Sequence, residues 1–77
     1  MSAFEVGRVC FKVKGRDAGQ KVVVLRVDKK KLTAIIEGPK VKRSKCNLRH
    51  LLPTEQKISG ISEKSTRKTI LKKLEGK

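Results

Sequence analysis

Aromatic residues are nearly missing from this chain. Phe4 and Phe11 are the whole set, with no Tyr and no Trp. Binders of single-stranded nucleic acid stack successive bases on exposed rings, and this chain lacks such platforms. Acids are scarce as well: Glu5, Asp17, Asp28, Glu37, Glu55, Glu63 and Glu75 lie scattered, mostly beside lysines. There is one histidine, His50, and the two cysteines, Cys10 and Cys46, form no CxxC pair. That inventory excludes a zinc set. It also signals no Ser/His/acid or Cys/His arrangement for catalysis. We expect no enzyme activity, no metal and no cofactor. No stretch approaches the roughly 18 apolar residues of a membrane span, and the first residues lack the basic-then-apolar order of a signal peptide. We expect no membrane partner. Two thiols without a secretion signal point to a reducing cytoplasm, although a Cys10–Cys46 disulfide stays open.

What is abundant is positive charge. Among 77 residues, Lys and Arg number 21 against 7 acids, a formal net charge of +14. Solubility needs only about 2 to 8 charges on a small domain. The excess repels itself unless a polyanion neutralises it. A chain of this length makes one domain that buries about 60% of its unfolded surface. Its core is small and cannot also line a deep catalytic pocket.

The first half reads as strands. Val9, Phe11 and Val13 alternate with polar positions, which predicts a half-buried strand with Phe11 in the core. Gly15 and Gly19 then supply positive φ for a tight loop. Residues 20–28, with Val22-Val23-Val24-Leu25, are apolar on both faces and predict the central strand. Lys29-Lys30-Lys31 makes a charged turn, residues 32–37 a third strand, and Gly38-Pro39 ends it. Residues 41–46 form a polar edge strand guarded by lysines and Arg43. Leu48, Leu51 and Leu52 suit one helical turn plugging a barrel end, and residues 53–58 a short closing strand. After Ser59-Gly60 the character changes. Ser62 can cap a helix over 63–74 whose narrow stripe is Ile70, Leu71 and Leu74. So short a helix is marginal alone, and we expect it to order only against a partner. The architecture implied is mainly β: a small SH3-like barrel over 1–58 with a basic helical extension over 59–77.

The layout of residues 7–25, an apolar strand, then Gly15-Arg16-Asp17-Ala18-Gly19, then a Val-rich strand, resembles the KOW motif of ribosomal proteins and transcription elongation factors. Gly7-Arg8-Val9-Cys10, then Ala34-Ile35-Ile36-Glu37-Gly38-Pro39, Val41, Arg43, Lys45-Cys46 and Leu48, resemble the archaeal and eukaryotic family called large-subunit ribosomal protein fourteen-e. The resemblance covers roughly residues 4 to 56. It implies an SH3-like barrel, attachment to ribosomal RNA of the large subunit, neighbouring ribosomal proteins as partners, and no catalysis. The chain departs from the family by being short, since eukaryotic members extend further at the C-terminus.

The residues expected to carry RNA binding follow from charge and loop geometry. Lys14 and Arg16 flank a glycine loop whose amides can form an anion-binding nest. Lys40, Lys42, Arg43, Lys45 and Arg49 make the first-choice RNA face. Arg grips phosphate with paired hydrogen bonds, and Lys acts as a mobile point charge. Arg67 and Lys68 add charge from the helix. His50 reads as a half-buried structural residue, and Cys10 as inert packing. With outer strand residues mainly Lys and Arg, we expect phosphate and shape to be read more than base identity, and no exposed apolar patch. The free protein is expected to be a monomer. Two other classes share the composition. One is a KOW-type interaction module of a transcription factor, which needs an apolar docking patch. The other is a small chromatin protein that wedges apolar side chains into DNA.

Overall fold

The computed structural model describes residues 4–16 and 18–76. In chain order these form β1 (Arg8–Lys12), β2 (Lys21–Asp28), β3 (Thr33–Gly38), β4 (Val41–Asn47), a 3-10 turn (Leu48–His50), β5 (Leu51–Lys57) and α1 (Arg67–Gly76). The strands make one antiparallel sheet in the order β4-β3-β2-β1-β5. β2 is central, as its two-sided apolar run requires. Pro53 lies on the edge strand β5, where a missing N–H leaves no ladder bond broken.

The sheet curls so that both edge strands share one interior. Cys10, Val22, Val24, Ala34, Ile36, Val41, Cys46 and Leu51 form that inner cluster. The outer face carries a second cluster of Val9, Val23, Leu25, Ile61, Ile70 and Leu74. The result is a small SH3-like barrel with a short C-terminal helix laid across its outside.

Three irregularities decide which side chains face inward. The β2–β3 register shifts between Val24 and Arg26, which adds Leu25 as an extra residue on β2. Val24 and Val27 therefore both pack on the inner cluster despite their odd spacing. The β3–β4 register shifts between Ile36 and Gly38, so Val41 and Cys46 both turn inward from β4. A third shift lies between Arg8 and Cys10 against β5.

The structure corrects several expectations. Phe11 is only half-buried and belongs to neither cluster, and Val13 is 46% exposed. Instead both Val9 and Cys10 are buried, because α1 covers one face of β1 and the barrel interior takes the other. The 3-10 turn ends at His50, and Leu51 already begins β5. Leu51 is buried, whereas Leu52 is 55% exposed. The helix starts at Arg67, because Thr66 caps it: Thr69 N donates to Thr66 Oγ1 at 3.2 Å. Ser62 instead organises a separate turn, accepting Lys64 N at its hydroxyl and Ser65 N at its carbonyl.

The partner that orders α1 is the chain's own sheet. Ile70 and Leu74 are buried against Val9, Val23 and Leu25. Each such side chain contributes about 1.5–3 kcal/mol on full burial, which offsets the marginal intrinsic stability of so short a helix.

Candidate nucleic-acid interface

The expected cations gather in two places. The first is a rim around the 3-10 turn. Gly15 and Gly19 adopt φ of +88° and +89° in the β1–β2 loop. Lys12 N donates to Gln20 O at 3.0 Å and Gly19 N to Lys12 O at 2.6 Å, closing the loop's base. Val13 N donates to His50 O at 2.8 Å, tying this loop to the 3-10 turn. At the turn's other end, Leu48 N donates to Leu32 O at 2.9 Å. That bond ties in the β2–β3 turn, where Asp28 Oδ1 accepts Lys30 N and Lys31 N. Asn47 Oδ1 accepts Arg49 N at 2.8 Å and fixes the entry to the turn. The rim thus carries exposed Lys14, Arg16 and Arg49, flanked by Lys29, Lys30 and Lys31. The lysine turn, uninformative as sequence, joins the rim through the Leu32–Leu48 bond. Asp17 lies outside the described residues.

The second place is the β4 edge and the start of α1. Lys40, Lys42, Lys45 and Lys68 are exposed there. Arg43 and Arg67 have internal work. Glu37, 2% exposed, accepts Arg43 Nε at 3.0 Å on one carboxylate oxygen and an Arg67 guanidinium nitrogen at 2.7 Å on the other. Arg43 also donates to Glu63 O at 2.7 Å and to Ser65 O at 2.5 Å. Arg67 donates to Pro39 O and Val41 O. Together they clamp the C-terminal segment to the β3–β4 hairpin. Their side chains stay 37% and 42% exposed, so the outer edge of each remains open to solvent. The outward arm of the clamp is legible, as a basic run; its buried anchor, Glu37, reads in sequence as one more strand acid.

The surface is not uniformly cationic. Phe11 pairs with Leu52 across β1 and β5, and Val13, Leu32 and Leu52 are each about half exposed. Large apolar side chains therefore interrupt the cationic surface at the end of β1, on β5 and in the β2–β3 turn.

The buried thiols carry no chemistry. Both cysteines are free. Burial pushes the Cys10 thiol up to about 11 and raises that of Cys46, so neither forms the reactive thiolate at neutral pH. Among the described residues no three His, Cys, Asp or Glu side chains cluster as a metal site, and no helix is long and apolar enough to cross a membrane.

Residues 6–37, which span β1, its glycine loop and most of β3, match the family model of the KOW motif. The large ribosomal subunit protein eL14 of Saccharolobus islandicus (strain L.S.2.15 / Lassen #1) is 44% identical over 77 residues, covering 91% of this chain and 79% of that protein. The protein of the same name from Saccharolobus solfataricus is 43% identical, with 97% and 80% covered. That from Methanococcus maripaludis is 48% identical over 58 residues, with 75% and 73% covered. Identity at this level over most of both chains, on a KOW hairpin folded as the strand pattern requires, shows that the chain belongs to the eL14 family of large ribosomal subunit proteins.

Proposed function

We propose that the protein is a structural, non-catalytic constituent of the large ribosomal subunit in the cytoplasm, and that it clamps folded ribosomal RNA. The observation that carries this reading is the bridge made by the 3-10 turn. Two backbone hydrogen bonds lock the glycine loop and the lysine turn to the turn itself. Backbone fixed in this way holds Lys14, Arg16 and Arg49 against phosphate at little ordering cost. Lys40, Lys42, Lys45 and Lys68 form a second contact along the β4 edge. Arg43 and Arg67 hold the extension in register through Glu37 and offer their exposed edges to the same RNA. In this reading residues 1–58 form the RNA-binding barrel and 59–77 a basic extension. The free protein is a monomer that joins RNA and neighbouring ribosomal proteins on assembly.

The test is a charge change on the rim. Arg16→Glu with Arg49→Glu should lower affinity for folded large-subunit RNA and flatten its salt dependence. Each lost phosphate contact removes about 0.7–0.9 from the slope of log affinity against log salt. On a sucrose gradient the wild type should travel with the large subunit and the variant should lag. A variant that enters large subunits as readily as wild type removes the rim from the interface.

Leu52, 55% exposed beside half-buried Phe11, favours a second role for this face of the barrel, contact with a neighbouring protein. Leu52→Ser should then leave binding to naked RNA unchanged while weakening retention in the assembled subunit.

A further inference from the structure

We propose that the groove between the end of β5 and α1 is a further binding site for RNA phosphates, separate from the loop rim and the β4 edge. The inference rests on the reading of the chain as a ribosomal RNA binder. The groove is open, about 790 Å³ in volume, and lined by Lys57, Lys72 and Lys73 with Gln56, Ile58, Ser59 and Thr69. No acid lines it. On α1, Thr69, Lys72 and Lys73 lie three and four residues apart and share one face. That face is held in place because Ile70 and Leu74, on the adjoining side of the helix, are buried in the outer cluster.

Local backbone places one ammonium at the mouth. Lys73 Nζ donates to Ser59 O at 3.3 Å and passes over Gly60. A Cβ at Gly60 would sit 2.9 Å from that nitrogen, and φ of +79° also favours glycine there. Lys57 is paired with Glu5 at 3.0 Å, with both partners well exposed. Such a surface pair is worth about 0–1 kcal/mol, so phosphate competes for Lys57 readily. The shape decides the ligand class. Nothing encloses the groove, as a small anion would need. An open trough with three lysines along an otherwise mainly apolar floor suits the continuous phosphates of a nucleic-acid strand, with the lysine stems packed on the floor and the ammonium groups at its edges.

The experiment titrates the full-length protein with folded large-subunit ribosomal RNA over a salt series. It compares wild type, Lys72→Gln/Lys73→Gln, and Lys21→Gln/Lys64→Gln, which loses the same charge from exposed positions outside every proposed site. The groove variant should lower the slope of log affinity against log salt by about 1.4–1.8, as two lost phosphate contacts do, and the control should change it far less. Bound RNA should shield Lys72 and Lys73, but not Lys21 or Lys64, from amine acylation. Where loss of the Ser59 contact unsettles the fold, Lys72→Gln alone supplies the answer, with a slope change of about 0.7–0.9. Binding by wild type with the groove variant indistinguishable from the control overturns the groove. Absence of salt-dependent RNA binding by wild type overturns the underlying reading instead.

Discussion

Glu37 and Arg67 lie thirty positions apart and meet at 2.7 Å, with the carboxylate almost wholly buried beneath the helix start. Arg43 completes the contact from the other side at 3.0 Å. A buried carboxylate held by charge-assisted bonds is costly to leave unpaired. Removing the acid strands two arginines, but these are over a third exposed and recover water. Glu37→Ala should therefore cost about 2–3 kcal/mol, and Arg67→Ala about 1–2 kcal/mol. Both should free the C-terminal segment before the barrel melts. Trypsin cleavage within 64–73 should accelerate in either variant at temperatures where far-UV circular dichroism still reports an intact sheet. Equal cleavage in variant and wild type would mean that apolar packing alone docks the helix.

How much of this was legible in the sequence follows from what local pattern encodes. The four-residue apolar run in β2, the glycine pair at 15 and 19, and the lysine-guarded edge each have a local cause, and the structure matches them. The inward face of β1 was not legible, because alternation assumes one wet face and here both are covered. Bulges at Leu25 and within β4 change the parity of later residues, and nothing in residue type marks them. The helix begins at Arg67 rather than at 63 because two hydroxyl residues, Ser62 and Thr66, compete as caps, and only Thr66 accepts from the helix's first turn. The pairing of the clamp with its buried anchor, Glu37, was not legible for a different reason. An arginine that grips a distant buried carboxylate has the same sequence signature as one that awaits phosphate.

The docking of α1 makes a packing prediction. Ile70 is fully buried between the helix and the β1–β2 face. Ile70→Ala should cost about 2–4 kcal/mol, within the range for large-to-small core changes. Urea unfolding should show a lower midpoint. The m-value should also fall, provided the helix has already detached in the native state. Leu71→Ala, one position on and only half-buried, should cost clearly less. Similar losses at both positions would mean the helix sits in a different rotation.

The glycines separate two kinds of constraint. Gly7 has φ of +93°, and a Cβ there would run into the backbone carbonyl of Ile58. Its own N–H donates to Val24 O at 2.7 Å, and its carbonyl accepts Ile58 N at 2.8 Å. The residue therefore cannot move aside. Gly19 has φ of +89° with open space where a Cβ would sit. Gly7→Ala should cost about 3 kcal/mol or more, and Gly19→Ala about 1–2 kcal/mol from the left-handed backbone alone. Thermal melts of the two variants side by side check the ordering, which fails if Gly19→Ala is the worse of the pair.

The buried thiol of Cys10 sets an alkaline limit. Burial raises it from 9.0 to about 11, so at high pH the folded state keeps a proton that the unfolded state has released. Stability falls with pH wherever the native state binds more protons. The contribution is therefore fully present below about pH 9 and is lost as pH rises towards about 11, at no more than about 1.4 kcal/mol per pH unit. Cys10→Ala differs from wild type at this side chain alone, so comparing the two isolates the thiol. Between pH of about 9 and about 10.5, wild type should lose about 1–2 kcal/mol more than Cys10→Ala by urea unfolding. At neutral pH an aromatic disulfide reagent should label neither thiol in the folded protein and both once urea unfolds it. Parallel pH profiles for the two proteins, together with rapid native labelling, would place Cys10 in contact with water.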